Sequence, residues 1–183
     1  MAPKLISRCI LLASTIVLTP GAFAGDTLAK NVDSDGNISF PQGFGTSMVH
    51  LGSWFVPSGG ASGFHGVYTE KASVEAYQKT GKFPDGAVLV KELRGSRTAD
   101  YTTGQGVSHA TGELKQWFVM VKDSQNRFND DPLWGDGWGW ALFKADDPQT
   151  NVAKDYKTDC LGCHVPAKDN DWVYTEAYPI LGE

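Results

Sequence analysis

One pentapeptide, Cys160-Leu161-Gly162-Cys163-His164, constrains this chain more than any other feature. On a helical turn, side chains at i and i+3 share a face, so the two sulfurs stand together and His164, four residues after Cys160, stays beside them. This spacing suits covalent haem c: thioethers from Cys160 and Cys163 to the two vinyl groups, and an imidazole nitrogen of His164 on the iron as proximal ligand. Pro166 keeps the same helix from continuing. A redox-active or structural disulfide and half a zinc site are the competing readings. Zinc needs a second ligand pair, which is not nearby, and a thioredoxin-like disulfide follows a strand, opens a helix and needs no histidine.

The third cysteine, Cys9, falls in a segment that reads as an export leader. Lys4 and Arg8 precede an apolar run from Cys9 to Leu18, and Ala22-Phe23-Ala24 offers small residues for cleavage before Gly25. The apolar core is about ten residues, too short for the roughly 20 that span a bilayer. The expected arrangement is a signal peptide over residues 1–24 and a single haem c domain over residues 25–183, periplasmic and without a membrane span after cleavage. Removing Lys4 and Arg8 takes the formal charge from −5 to −7. An acidic chain of this kind excludes a basic nucleic-acid surface as the default reading.

Between leader and motif the pattern is strand-rich. Val49 to Val56, Phe64 to Thr69, Ala87 to Leu93, Leu114 to Lys122 and Trp138 to Ala145 read as strands. Glu70 to Thr80 reads as a short helix stopped by Gly81, and Asn151 to Val165 and Asp171 to Tyr178 as further helices. Arg94 to Gly112 reads as a long polar loop, Asp123 to Asn126 as a hairpin turn. Asp33-Ser34-Asp35-Gly36-Asn37 imitates a calcium loop but lacks its later glutamate, and is expected to be a plain turn. The fold expected is α+β: an antiparallel sheet of about five strands with short helices and a C-terminal attachment helix.

Nothing downstream of His164 is Met or His. A sixth iron ligand would have to come from Met48, Met120, His50, His65 or His109, and each has an ordinary structural role available. An open distal site that admits a small molecule is the favoured expectation.

The sequence resembles the cytochrome P-460 family, including its cytochrome c′-beta branch. The resemblance rests on Gly81-Lys82-Phe83-Pro84-Asp85-Gly86 running into Val88-Leu89-Val90-Lys91-Glu92, and on Val121-Lys122-Asp123-Ser124 with Arg127-Phe128. The attachment motif followed by Asp171-Trp172-Val173-Tyr174 and Tyr178-Pro179 completes it. It implies one haem c on an antiparallel sheet, five-coordinate through His164, usually in a homodimer. Cytochromes P-460 that oxidise hydroxylamine link a lysine covalently to the porphyrin, and the matching residue is Lys91. They also carry a distal arginine and a distal glutamate where an ungapped register places His65 and Phe118. A glutamate can relay protons from a nitrogen substrate, whereas phenylalanine can only wall the iron with apolar surface.

These readings favour an exported haem c protein that binds a small nitrogen species such as NO. The alternatives are a hydroxylamine- or NO-oxidising enzyme with a Lys91 cross-link, and a simple electron carrier; a soluble redox partner is implied by the last two. Trp134-Gly135-Asp136-Gly137-Trp138-Gly139-Trp140 can wall a haem or fill a core, the latter being favoured, and Arg94, Arg97 and Arg127 are candidate propionate partners.

Overall fold

The fold is described from a computed structural model, which covers residues 28–182. The expected leader lies outside the described residues. Among them, no helix is long and apolar enough to cross a membrane.

Six strands form one antiparallel sheet. They are β1 (Val49–Val56), β2 (Gly63–Thr69), β3 (Val88–Tyr101), β4 (Gly104–Lys122), β5 (Trp134–Gly135) and β6 (Trp138–Lys144). Their spatial order is β1-β2-β3-β4-β6-β5, so only β6 leaves sequence order, letting the short β5 form an edge. Successive side chains of a strand point to opposite faces, and here both faces are apolar, which is why β3 and β4 carry near-continuous runs such as Val88-Leu89-Val90 and Val119-Met120-Val121.

One face carries Val88, Val90, Val119, Val121, Ala141 and Phe143 and is covered by the N-terminal segment through Val32, Ile38 and Phe44 of α1 (Phe44–Ser47). The other carries Leu51, Val67, Leu89, Met120, Trp138 and Trp140. Over it lie Val74 of α2 (Lys71–Thr80) and, from the C-terminal segment, Tyr156, Val173, Tyr178 and Leu181. The attachment motif therefore belongs to the layer that packs on this second face.

Two sequence expectations are corrected. Arg94 to Gly112 is not a loop: β3 continues to Tyr101, β4 begins at Gly104, and Ser96, Arg97, Thr98 and Ala99 pair with Ala110, His109, Ser108 and Val107. Its polarity reflects a ribbon with solvent on both faces, a setting in which strand pairing leaves no apolar alternation to read.

The long C-terminal helices are also absent. Asn151 Oδ1 accepts from Leu142 N at 3.0 Å and from Ala153 N at 3.1 Å, holding the chain extended beside β6. Helix forms only as α3 (Tyr156–Asp159) and α4 (Leu161–His164), followed by a 3-10 turn over Val165–Asn170. Asp171 and Trp172 then take left-handed backbone, φ +57° and +66°, at the point where the second expected helix, Asp171 to Tyr178, would begin.

Asp33 closes a plain turn, its carboxylate accepting from Asp35 N, Asn37 N and Asn37 Nδ2. At the far end of β4, Arg127 bonds Asp85 at 2.6 Å and Asp123 at 2.7 Å, which places its guanidinium in a structural clip. The same guanidinium holds the Asp85 carboxyl below the usual carboxylate range.

Candidate haem site

The two cysteines are set by a break between short helices. Asp155 caps α3 by accepting from Lys157 N at 2.8 Å. Cys160 closes α3 through its N–H to Tyr156 O at 2.9 Å, then takes φ −126°, ψ −46° and opens α4. The N–H of Cys163 donates to Cys160 O at 3.2 Å, which brings the pair onto one turn. Both are free thiols. Burial, with Asp159 adding to it, pushes the Cys160 thiol up to about 11.

His164 is oriented before any ligand arrives. Its Nδ1 lies 2.7 Å from Trp172 O, and a carbonyl can only accept, so Nδ1 carries the proton and Nε2 keeps its lone pair. The indole of Trp140 stands edge-on to the imidazole at 4.9 Å between centroids and Tyr174 flanks it at 6.2 Å. Tyr174 in turn donates its hydroxyl to Cys163 O at 2.6 Å, tying the motif to the segment that follows it. Burial lowers the imidazole's proton affinity, the Trp172 carbonyl opposing and the Lys91 charge adding.

The sheet wall opposite the motif centres on Lys91. In register it lies between Val67 of β2 and Phe118 of β4, and Phe118 in turn faces Leu142 of β6. The ammonium sits 4.0 Å from the Phe118 ring centroid, with no hydrogen bond or ion pair to it among the described residues. Burial depresses the Lys91 pKa, with the Cys163 and Cys160 sulfurs opposing it. His65 lies on the same face, opposite Leu93, and donates Nε2–H to Ala61 O at 2.7 Å. Burial keeps it neutral below the usual histidine range, Lys91 and Lys115 reinforcing this against the Ala61 bond.

The remaining candidates separate by face. Met48 and His50 pack on the N-terminal side, His50 against Tyr68 at 5.0 Å, and His109 is exposed on the β3–β4 ribbon with Tyr101. Met120 lies on the motif side but inside the core cluster. Arg94 pairs with Glu92, which also accepts from the Tyr68 hydroxyl on the far face, Arg97 is exposed and Arg127 is held in its clip, so none of the three arginines is brought to the motif. Glu113 also lies on the exposed ribbon, near Gly95. The tryptophan string divides: Trp134 donates to Gly36 O on the far face, while Trp138 and Trp140 belong to the motif face.

Sequence reasoning missed the groups that hold His164. The Trp172 carbonyl is one, and the partly buried pair Lys122–Asp171, Nζ to Oδ1 at 2.7 Å, is another. Backbone acceptors carry no residue-type signal, and Lys122 and Asp171 are 49 positions apart.

This donor set fits haem. Two thiols on one turn, an imidazole with Nε2 left free, and a half-buried aromatic and aliphatic wall make up what a covalently held, axially ligated porphyrin requires. A sheet wall facing such a turn defines a haem-binding cytochrome. The chain belongs to the Cytochrome P460 family, whose model matches residues 41–175, a span that takes in His65, Lys91, Phe118 and the whole attachment motif. A search of curated proteins finds no match.

Proposed function

We propose that this cytochrome is exported to the periplasm, carries one haem c on Cys160 and Cys163 with His164 as its axial ligand, and takes up a small uncharged nitrogen species such as NO on the open side. Bound haem supplies the iron and its ligand-binding and redox chemistry. The observation that carries the reading is the sheet face around Lys91. Val67 and His65 of β2, Leu89 and Leu93 of β3, Gln116 and Phe118 of β4 and Leu142 of β6 surround it in register, and none is a carboxylate. Such a wall suits an apolar diatomic and offers a proton-rich substrate no carboxylate to exchange protons with. A homodimer and a soluble redox partner belong to the same proposal through the family resemblance.

A second reading, hydroxylamine oxidation with Lys91 bonded to the porphyrin, draws on the half-buried ammonium over the Phe118 ring, which has no ion-pair partner among the described residues. Forming that bond would replace one N–H and one porphyrin C–H by a C–N bond, release two protons and pass two electrons to an oxidant of the peroxide class. The optical spectrum of the reduced protein and the mass of its tryptic haem peptide separate the readings. An ordinary c-type Soret band, uptake of NO without displacement of a protein ligand, and one haem peptide are expected. A strongly red-shifted band with a second peptide containing Lys91 would move the assignment to the oxidase.

Phe118→Glu tests the wall directly. It sets a carboxylate across the strand from Lys91, where an ion pair offsets part of its burial. Hydroxylamine turnover with an added electron acceptor is expected to rise by about tenfold, below the roughly hundredfold or more of an ideally placed proton-transfer group because the ion pair with Lys91 holds the carboxylate back. Turnover unchanged in a haem-loaded variant would refute this account of position 118.

A further inference from the structure

The chain that holds His164 does not end at the Trp172 carbonyl. Asp171 precedes it, and its carboxylate accepts from Lys122 Nζ at 2.7 Å, while its backbone oxygen accepts from Trp138 Nε1 at 3.0 Å. Lys122 is buried at 9% exposure at the end of β4, its ammonium 4.7 Å from the Trp138 ring centroid. The backbone of Lys122 is itself fixed to the Pro84–Ala87 turn, donating to Ala87 O at 2.9 Å and accepting from Gly86 N at 2.9 Å. Asp171 and Trp172 both adopt left-handed backbone, a conformation that is strained for a non-glycine residue and persists only where surrounding bonds over-determine it. The bonds that do so here are the ion pair, the indole bond and Trp172 N–H to Ala167 O at 3.0 Å.

We infer that the Lys122–Asp171 pair is a positioning device for the axial ligand: it aims the Trp172 carbonyl at His164 Nδ1 and so sets how strongly the imidazole is polarised toward the iron. The inference rests on the reading of His164 as the axial ligand. A proton held firmly by an acceptor gives Nε2 more anionic character, strengthening its bond to iron and favouring the ferric state. Loosening the pair lets the carbonyl turn away and reverses both effects. With Lys122 buried and the Asp171 side chain 32% exposed, the pair is otherwise a modest source of stability, since desolvation of the ammonium and solvent screening of the carboxylate offset most of the attraction.

The test uses the haem-loaded full chain. Lys122→Met combined with Asp171→Asn leaves net charge unchanged and keeps Asn, which tolerates left-handed backbone, at the turn. The ferrous iron–imidazole stretching band is expected to move to lower frequency and the reduction potential to move positive, with Lys122→Arg staying at the wild-type values. Asp171→Asn alone, the milder change, is expected to shift the band the same way by less. It serves as the measurement should the double variant not accumulate. An unchanged band in either folded, haem-loaded variant overturns the positioning role. A wild-type protein with no such band, being six-coordinate and low-spin, would instead overturn the axial assignment on which the inference rests.

Discussion

Replacing Cys160 and Cys163 together by Ala is expected to abolish every trace of haem that survives acid extraction, while each single variant keeps one thioether. Each attachment adds a thiol S–H across a vinyl double bond, sulfur to carbon and hydrogen to the neighbouring carbon, so it needs the sulfur and no external oxidant. The two sulfurs share a turn closed by Cys163 N–H to Cys160 O, and the backbone of that turn does not depend on either side chain. The double variant should therefore keep the sheet, and its circular dichroism should show this. His164→Gly gives the complementary result. It is expected to retain both thioethers and lose the axial ligand, and added imidazole should restore the wild-type spectrum because Trp140 and the Trp172 carbonyl still line the vacated space. Haem that remains acid-stable in the double alanine variant would show that attachment runs through another residue, with Lys91 the first to examine.

The parts of this architecture that sequence reasoning reached are those with a repeating or local signal. The strand runs around Val49, Phe64, Val88, Val119 and Trp140 combine β-branched and aromatic residues with flanking turn residues, and each lies in the sheet. The α2 helix ends at Gly81 with φ +71°, as its stop signal implies. Errors came where local pattern and tertiary demand disagree. The β3–β4 ribbon is solvated on both faces, so it carries no alternation, and the C-terminal segment carries helical spacing that Asn151, Asp171 and Trp172 override through long-range bonds. The site divides in the same way. Cys160, Cys163 and His164 stand out in the sequence because haem attachment would require that fixed spacing, and Lys91 and Phe118 stand out only through a family resemblance. Their being direct cross-strand partners is a matter of register, which the sequence does not print. The Trp172 carbonyl and the Lys122–Asp171 pair exist only once the C-terminal layer has docked on the sheet.

That docking can be tested by one methyl group. Gly52 sits beside a register shift in β1, and a Cβ built there overlaps the carbonyl oxygen of Ala177 while lying 3.2 Å from Tyr178 Cδ1. The obstructing atom is backbone, held in the 3-10 turn Thr175–Ala177, so it cannot swing aside as a side chain would. Either β1 or the C-terminal layer must move, and the layer is the less firmly bonded of the two, since β1 is paired along its length with β2. Gly52→Ala is expected to cost about 3 kcal/mol of unfolding free energy, at the upper end of overpacking penalties. It should also expose the segment after Val173 to limited proteolysis. Gly162→Ala provides the contrast inside the attachment motif, because nothing lies within 4 Å of its added Cβ. Its stability should stay within about 0.5 kcal/mol of wild type, as for exposed substitutions without a steric partner. Urea unfolding of the two variants reads both effects. Equal midpoints would mean that the C-terminal layer does not press on β1, and His164 would then owe its orientation to its own turn rather than to the sheet beneath it.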